Sequence, residues 1–333
     1  MTAEAFSNFG LQDCWTPVAL GSRLKKRPLR FQLAGHKFVL FRAGGGRPTA
    51  LLDRCPHRGA ALSLGRVRED GCLQCPFHGW RFDGAGDCVE VPLADAKHVQ
   101  LRATSFPVIE RSGLLWVYTR AGATPSEEPI VPEALEDPSV HSWRAVKRWN
   151  AHWTRVMENL LDPAHLPYVH ARTIGFAVKK QMKRDSRMEL TPSALEHGFE
   201  VHWSVDGRDS AASITWTQPN AWSLLVSTPR RPMHLHIWCV PMNEGETELI
   251  VVTARDGGRF AGRRLFEQLN RIILWEDQRI VESQEPAEVP PPSEEKSTTL
   301  DRPTLAFRRW YLERKRGAGE RVWPEASELH ALH

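Results

Sequence analysis

The stretch CPHRGAALSLGRVREDGCLQCPFHGW, residues 55–80, contains two short runs of metal-ligating residues. The first run is Cys-x-His (Cys55, His57), and the second, after 17 intervening residues, is Cys-x-x-His (Cys75, His78). A proline follows each cysteine and a glycine lies just beyond each run, which predicts two tight turns. Two thiolates and two imidazoles from two loops can close a tetrahedral or a bimetallic site. The stretch therefore predicts a metal centre.

The order Cys-Pro-His-Arg-Gly and then Cys-Pro-Phe-His-Gly-Trp resembles the signature of the Rieske non-heme iron oxygenases. In a Rieske [2Fe-2S] cluster two His replace two Cys at one iron. The resemblance implies that Cys55 and Cys75 hold one iron and that His57 and His78 hold the other. We expect Trp80 either to pack against the cluster or to be an ordinary core residue. A structural zinc site is the alternative for the four ligands.

Composition limits the class of protein. The 333 residues suffice for two domains, and the formal net charge of +4 is too small for a typical nucleic-acid-binding surface. No apolar stretch approaches the roughly 20 residues of a membrane span, and the N-terminus lacks a signal-peptide pattern, so a cytoplasmic protein is predicted. Six cysteines are too few for a disulfide scaffold. Those outside the motif are predicted to be buried thiols: Cys14, Cys72, Cys88 and Cys239.

The pattern of the chain predicts an α+β fold with two parts. Short apolar runs separated by turns indicate a small all-β Rieske domain in residues 1–125, including a hairpin turn at the three glycines of residues 44–46. A shift to Pro, Glu, Ser and Ala marks the junction, and the resemblance implies that residues 126–333 form the mononuclear-iron catalytic domain. There, alternation over residues 189–255 predicts an antiparallel sheet, flanked by helices in residues 149–162 and 263–284.

A second group of polar residues lies in the predicted first helix. Asp162 and His165 are three residues apart and share a helical face, where the carboxylate can bind the imidazole N–H. His165 and His170 are five apart, about 140° around an ideal helix, so they converge only if the helix breaks between them. Pro167 is predicted to supply that break. Two His then need a carboxylate from elsewhere to complete a facial triad for non-heme Fe(II).

The pattern Asn-x-x-Asp-x-x-His-x-x-x-x-His also resembles the mononuclear-iron segment of Rieske oxygenase catalytic subunits. The resemblance implies iron ligation by His165 and His170 and a catalytic role for Asp162 and Asn159. In the family the third ligand is the Asp of a late Glu-Asp pair, here Asp277. The alternatives for this third ligand are Glu276 and Glu282. The family also implies a head-to-tail homotrimer, with the Asp162 carboxylate bridging His78 of one subunit and His165 of the next.

The resemblance implies a terminal oxygenase that activates O2 at a mononuclear Fe(II) with electrons from the cluster. The short form resembles aromatic O-demethylases and the relatives that act on steroids, alkaloids and chlorophyll derivatives. It therefore implies monooxygenation, by hydroxylation or demethylation, of a hydrophobic polycyclic, steroid-like or aromatic substrate. No nicotinamide- or flavin-binding motif is present, so an NAD(P)H-dependent reductase, with or without a ferredoxin, is the expected electron donor.

Several residues keep two interpretations. Alternating sheet residues either face a substrate cavity or belong to the core: Trp216, Trp222, Leu224, Val226, His236 and Trp238. Arginines near the first motif either dock an acidic ferredoxin or form a solvated surface: Arg54, Arg58, Arg66, Arg68 and Arg81. The competing functions are a non-catalytic Rieske electron-transfer protein and a zinc-stapled binding module.

Overall fold

The structure, a computed structural model, describes residues 6–93, 101–227, 232–256 and 263–317. The chain divides into two compact units, Met1–Pro132 and Glu133–His333. The boundary expected from composition, after residue 125, lies a few residues earlier in the same Pro- and Glu-rich stretch. No helix in the described part of the chain is long and apolar enough to cross a membrane.

The described part of the first unit is built from short antiparallel strands in three small sheets. The sheet orders are β1-β11-β10, β2-β3-β4-β9 and β5-β6-β7-β8. The strands are β1 Trp15–Leu20, β2 Leu29–Leu33, β3 His36–Arg42, β4 Pro48–Leu52, β5 Arg66–Val67, β6 Leu73–Gln74, β7 Arg81–Phe82, β8 Cys88–Glu90, β9 Ser105–Phe106, β10 Val108–Arg111 and β11 Leu114–Tyr118.

The predicted glycine turn joins β3 to β4. Gly45 and Gly46 have φ angles of 73° and 76°, which glycine adopts without the clash that a Cβ would cause. The two strands pair in register from Phe38↔Leu52 to Arg42↔Pro48. A hydrophobic core that contains Cys55, Cys75 and Trp80 stabilises this unit.

The second unit contains a seven-stranded antiparallel sheet of order β12-β18-β17-β16-β15-β14-β13. Its strands are β12 Val140–Trp149, β13 Met188–Leu195, β14 Gly198–Val205, β15 Arg208–Thr217, β16 Ala221–Val226, β17 Met233–Asn243 and β18 Glu246–Asp256. The described α-helices are α1 Trp153–Leu161, α2 Leu166–Val169, α3 Phe176–Gln181, α4 Arg263–Val281 and α5 Arg302–Lys315. The predicted α+β class is confirmed.

Helix α1 is buried on nearly every side because it contacts β16, β17 and β18 as well as α4 and α5. It begins at Trp153 rather than at residue 149, since residues up to Trp149 pair with β18. It ends at Leu161, and Asp162 caps the following turn at Pro163. A proline lacks the N–H that the next helical bond needs, so the chain turns at this point.

A buried ion-pair network joins α1 to α5. An Nη2 of Arg308 lies 2.6 Å from Glu158 and 2.8 Å from Glu295, and Arg155 lies 2.8 Å from Glu295. Burial raises the pKa of Glu158, although Arg308 and Arg155 favour its charged form. Each charge has an opposite partner, which offsets part of the cost of desolvation. The sequence did not single out these residues.

Candidate metal centres

The two Cys/His runs form loops with the same backbone pattern. In each loop the cysteine N–H donates to the carbonyl five residues later, at 2.8 Å for Cys55 and 2.7 Å for Cys75. The glycine four residues after each cysteine donates back to the cysteine carbonyl, at 2.8 Å and 3.2 Å. These glycines, Gly59 and Gly79, have φ angles of 73° and 74°. The repeated Cys-Pro…Gly spacing therefore gives two matching loops.

The side chains of these loops form one donor set. Cys55 and Cys75 are buried, and the rings of His57 and His78 lie 4.7 Å apart between centroids. Burial raises the pKa of the Cys55 thiol to about 11, so binding of a metal would displace a proton at neutral pH. Trp80 stacks on His57 with ring centroids 4.4 Å apart. Two thiols and two adjacent imidazoles are the donors that a Rieske [2Fe-2S] cluster requires.

The remaining cysteines only partly follow the prediction. Cys72 and Cys239 are buried free thiols, as expected. Cys14 and Cys88 form no disulfide and are only half-buried, because each lies at an edge of its sheet or just before it. The prediction of buried thiols was therefore wrong for these two residues.

The break that brings the two histidines of the second motif together is not at Pro167. That proline lies inside α2, where the first turn of a helix tolerates it. Instead, α1 ends before Pro163, a 3-10 turn (Pro163–His165) follows, and α2 ends where His170 leaves helical geometry. His165 and His170 thus flank one short helix, and their ring centroids lie 5.1 Å apart.

Asp277 of α4 completes a three-residue cluster with these histidines. One ligand atom from each residue lies within 4.8 Å of the others. Asp277 Oδ1 is 3.0 Å from His170 Nε2 and 3.5 Å from His165 Nε2, yet among the described residues it has no hydrogen bond of ordinary geometry. A buried carboxylate oxygen facing two ring nitrogens is a donor set that a divalent iron fits.

The two alternative carboxylates have other partners. Glu276 Oε2 binds the far nitrogen of His170, Nδ1, at 2.8 Å, and it accepts from Thr173 Oγ1 at 2.8 Å. The pKa of His170 is raised. Burial alone would lower this pKa, but the carboxylates of Asp277 and Glu276 outweigh that effect. Glu282 is exposed and accepts from the backbone N–H of Asn150 at 2.7 Å. Neither glutamate belongs to the metal-binding cluster that the described residues form.

Asp162 and Asn159 lie beside this cluster. Asp162 Oδ1 caps the turn by accepting from Ala164 N at 2.7 Å, while its Oδ2 is 3.8 Å from His165 Nδ1. Burial raises the pKa of Asp162, and the neighbouring His165 opposes that shift. The Asn159 amide nitrogen is buried and has no hydrogen-bond partner among the described residues.

A cavity of about 360 Å³ borders the three-residue cluster. Its walls come from α1, α4, the turn around His165 and one face of the sheet, and most of its lining is apolar. Trp222, Leu224 and Val226 of β16 line it, as one of the two interpretations held. An apolar cavity with a few polar groups at one end is typical of a small-molecule site.

The other three sheet residues named from the sequence do not line this cavity. Trp216 packs against Phe307 and Trp310 of α5. His236 and Trp238 alternate with the cavity residues of β17, so they lie on the opposite face of the sheet. Burial lowers the pKa of His236 to about 4, which leaves the imidazole neutral.

Sequence reasoning missed several cavity residues. Leu235 and Ile237 of β17 pair with Leu224 and Trp222, and this pairing places them on the cavity face. Strand register would have identified them, but a single sequence does not give register. The residues of α4 that line the cavity recur at helical spacing, a pattern that is visible in the sequence. They are Leu269, Asn270, Ile273, Leu274 and Asp277.

Family models match both units. Residues 14–107 match the Rieske [2Fe-2S] domain, and residues 149–315 match the vanillate O-demethylase oxygenase C-terminal domain. The first match contains Cys55, His57, Cys75 and His78. The second begins at the last residue of β12 and extends through α5.

Curated relatives cover most or about half of the chain. Pheophorbide a oxygenase of rice (Oryza sativa subsp. japonica), a chloroplastic protein, is 30% identical over 97% of this chain and 68% of its own length. The dicamba O-demethylase oxygenase component of Stenotrophomonas maltophilia is 34% identical over 48% of each chain. Chlorophyllide a oxygenase of Chlamydomonas reinhardtii is 30% identical over 83% of this chain. The match covers 44% of the length of that relative.

Solved structures share the whole fold. NdmA of Pseudomonas putida CBB5 superposes with a TM-score of 0.79 at 26% identity, over 98% of this chain and 96% of that one. A dicamba monooxygenase bound to dicamba superposes with a TM-score of 0.76 over 93% of this chain and 99% of its own. Its identity of 23% supports similarity of fold alone.

Proposed function

Because the chain belongs to the Rieske oxygenases with a vanillate O-demethylase-type catalytic domain, we propose that it is the terminal oxygenase for a hydrophobic substrate bound in the cavity beside His165, His170 and Asp277. The family predicted from the two motifs is confirmed, and the protein is a Rieske-type non-heme iron oxygenase. It uses a [2Fe-2S] cluster and a mononuclear iron. One observation supports the proposal most directly: the three candidate iron ligands converge at one end of an apolar cavity.

We assign the cluster to Cys55, His57, Cys75 and His78, and the mononuclear iron to His165, His170 and Asp277. Three protein ligands leave coordination positions free, and the iron bound there supplies reductive activation of dioxygen. The apolar walls exclude water from the substrate. Asp162 lies on the far side of His165, with its Oδ2 3.8 Å from Nδ1, so a small approach would let its carboxylate accept the proton of that nitrogen. Asn159 offers its amide at the cavity edge.

The electron donor and the assembly follow from the family resemblance. The supply of electrons is assigned to a separate NAD(P)H-dependent reductase, with or without a ferredoxin. The relative from Stenotrophomonas is named an oxygenase component, which agrees with a divided system. A homotrimer would bring His78 of one subunit to Asp162 and His165 of another. The cytoplasmic location stays a prediction.

The metal content tests the proposal. We expect about three irons and two acid-labile sulfides per chain in anaerobically purified protein, together with a Rieske-type EPR signal after dithionite reduction. Two irons that do not increase on addition of ferrous ion would favour the electron-transfer protein instead. Zinc without sulfide would establish a zinc-stapled module and exclude the oxygenase.

Glu276 provides a prediction about the affinity of the iron site. Loss of the partner that holds His170 Nδ1 should weaken metal binding about 10- to 100-fold, because such partners fix the ring and its tautomer. We expect this loss in Glu276→Ala and a smaller one in Glu276→Gln, whose amide oxygen still accepts from Nδ1–H. Competition between a chelator and the iron-depleted protein for Co²⁺, followed by visible absorption, measures the affinity.

Glu282→Ala, an exposed substitution directly after the end of the same helix, is the control for Glu276. If Glu276→Ala bound Co²⁺ as tightly as the parent, the contact would have no role in orienting His170.

A further inference from the structure

Helix α4 carries two polar side chains on the same line of its surface. Asn270 and Asp277 are seven residues apart, which corresponds to two turns of helix less about 20° and a rise of about 10.5 Å. Both border the cavity, and the residues between them that also border it, Ile273 and Leu274, are apolar. Along the cavity, α4 therefore has the carboxylate of the candidate metal site at one end and apolar side chains in the middle. The amide of Asn270 lies about 10 Å along the helix from that carboxylate.

The opposite wall is apolar over a similar length. Trp222, Leu224 and Val226 line the cavity from β16, and four residues of strand span about 13 Å. Leu235 and Ile237 extend the same surface on β17. A rigid, flat or elongated apolar body fits between this wall and α4 better than a compact polar one does.

The charges around the cavity disfavour an anionic ligand. The residues described as lining it include neither Lys nor Arg, and its carboxylates, Asp162 and Asp277, are at the metal end. A carboxylate buried there would have no cationic partner in the described lining, at a large cost in desolvation. Asn270 is half-buried, and its amide forms no hydrogen bond with the part of the chain that the structure describes. It is available to a ligand.

We propose that the cavity takes a neutral, elongated fused-ring molecule that carries a hydrogen-bonding oxygen about 10 Å from the carbon nearest Asp277, and that the Asn270 amide binds this oxygen. Asn270 is then a specificity-determining residue, since it sets which end of the molecule lies at the metal. The direction of the ligand rests on the proposed oxygenase function, but the binding preference does not.

Three probes of one shape test the preference: 5α-androstane, 5α-androstan-17-one and 5α-androstane-17β-carboxylate. Isothermal titration calorimetry on the holoprotein should show the ketone binding about 5- to 10-fold more tightly than the hydrocarbon, as one added hydrogen bond provides. The carboxylate should bind most weakly. Asn270→Leu should reduce the ratio of ketone to hydrocarbon affinity to about one and leave the hydrocarbon bound.

Two further variants separate hydrogen bonding from shape. Asn270→Asp keeps the size of the side chain but only accepts hydrogen bonds when ionised, so it should prefer 5α-androstan-17β-ol over the ketone. Gln268→Leu, an exposed change on the same helix, should keep the parent preference.

Tighter binding of the carboxylate, an unchanged preference in Asn270→Leu, or failure of all three probes to bind would overturn the assignment. Oxygen consumption with a surrogate reductase is measured separately. Binding that depends on Asn270 without turnover of any bound probe would count against the oxygenase function and support this inference. Turnover that does not depend on Asn270 would support the oxygenase function and count against this inference.

Discussion

Replacing Asp277 by alanine is expected to abolish turnover and to lower the iron content from about three to about two per chain, without changing the Rieske EPR signal. The physical reason is that Asp277 is the only carboxylate in the cluster of ligand atoms that the described residues form. Without it, two neutral imidazoles remain, and a divalent cation loses the anionic ligand that balances its charge. The proposed [2Fe-2S] ligands lie more than 190 positions earlier in the sequence, at residues 55–78, so the substitution should not affect them.

The same result is expected for His165→Ala and His170→Ala. Iron analysis, EPR after dithionite reduction and substrate-dependent oxygen consumption are measured on each variant. Glu282→Ala is the matched control, because it removes an exposed carboxylate directly after the end of the same helix. Normal turnover in all three ligand variants would exclude this iron site. Loss of the Rieske signal together with the mononuclear iron would indicate general unfolding rather than loss of a ligand.

Replacing Arg308 by methionine should lower the free energy of unfolding of the second unit by about 3–5 kcal/mol. Arg308 is 5% exposed and contacts both Glu158 and Glu295. Its removal leaves Glu158, itself 8% exposed, with Arg155 as its remaining ionic partner in the described part of the chain, at 3.3 Å. A buried carboxylate that loses its closest cation pays the desolvation cost without the attraction that offset it.

Urea-induced unfolding followed by tryptophan fluorescence measures this change. Arg309→Met is the control, since the adjacent side chain is exposed and its replacement should change stability by less than about 0.5 kcal/mol. The double variant Glu158→Gln/Arg308→Met should recover part of the loss, because neither charge then remains unpaired. Equal stability of the Arg308→Met and Arg309→Met variants would mean that the ion-pair network does not contribute to the stability of the second unit.

The first motif was readable from sequence because all its parts are local. The cysteine, proline and glycine spacing dictates each loop, and the hydrogen bonds of the two loops match residue for residue. The α+β class followed in the same way from periodicity, and the glycine turn after β3 from the conformational freedom of glycine. Such features depend on interactions between residues a few positions apart.

The sequence by itself determined the residue types of both sites and the family to which the chain belongs. Only the tertiary structure decided which residues that are distant in the sequence lie close together in space. Asp277 lies beside His165 and His170. Glu276 forms a hydrogen bond with the other ring nitrogen of His170, and His236 lies on the sheet face opposite the cavity. Strand register and helix packing arise from the burial of many side chains at once, and no short stretch of sequence encodes them.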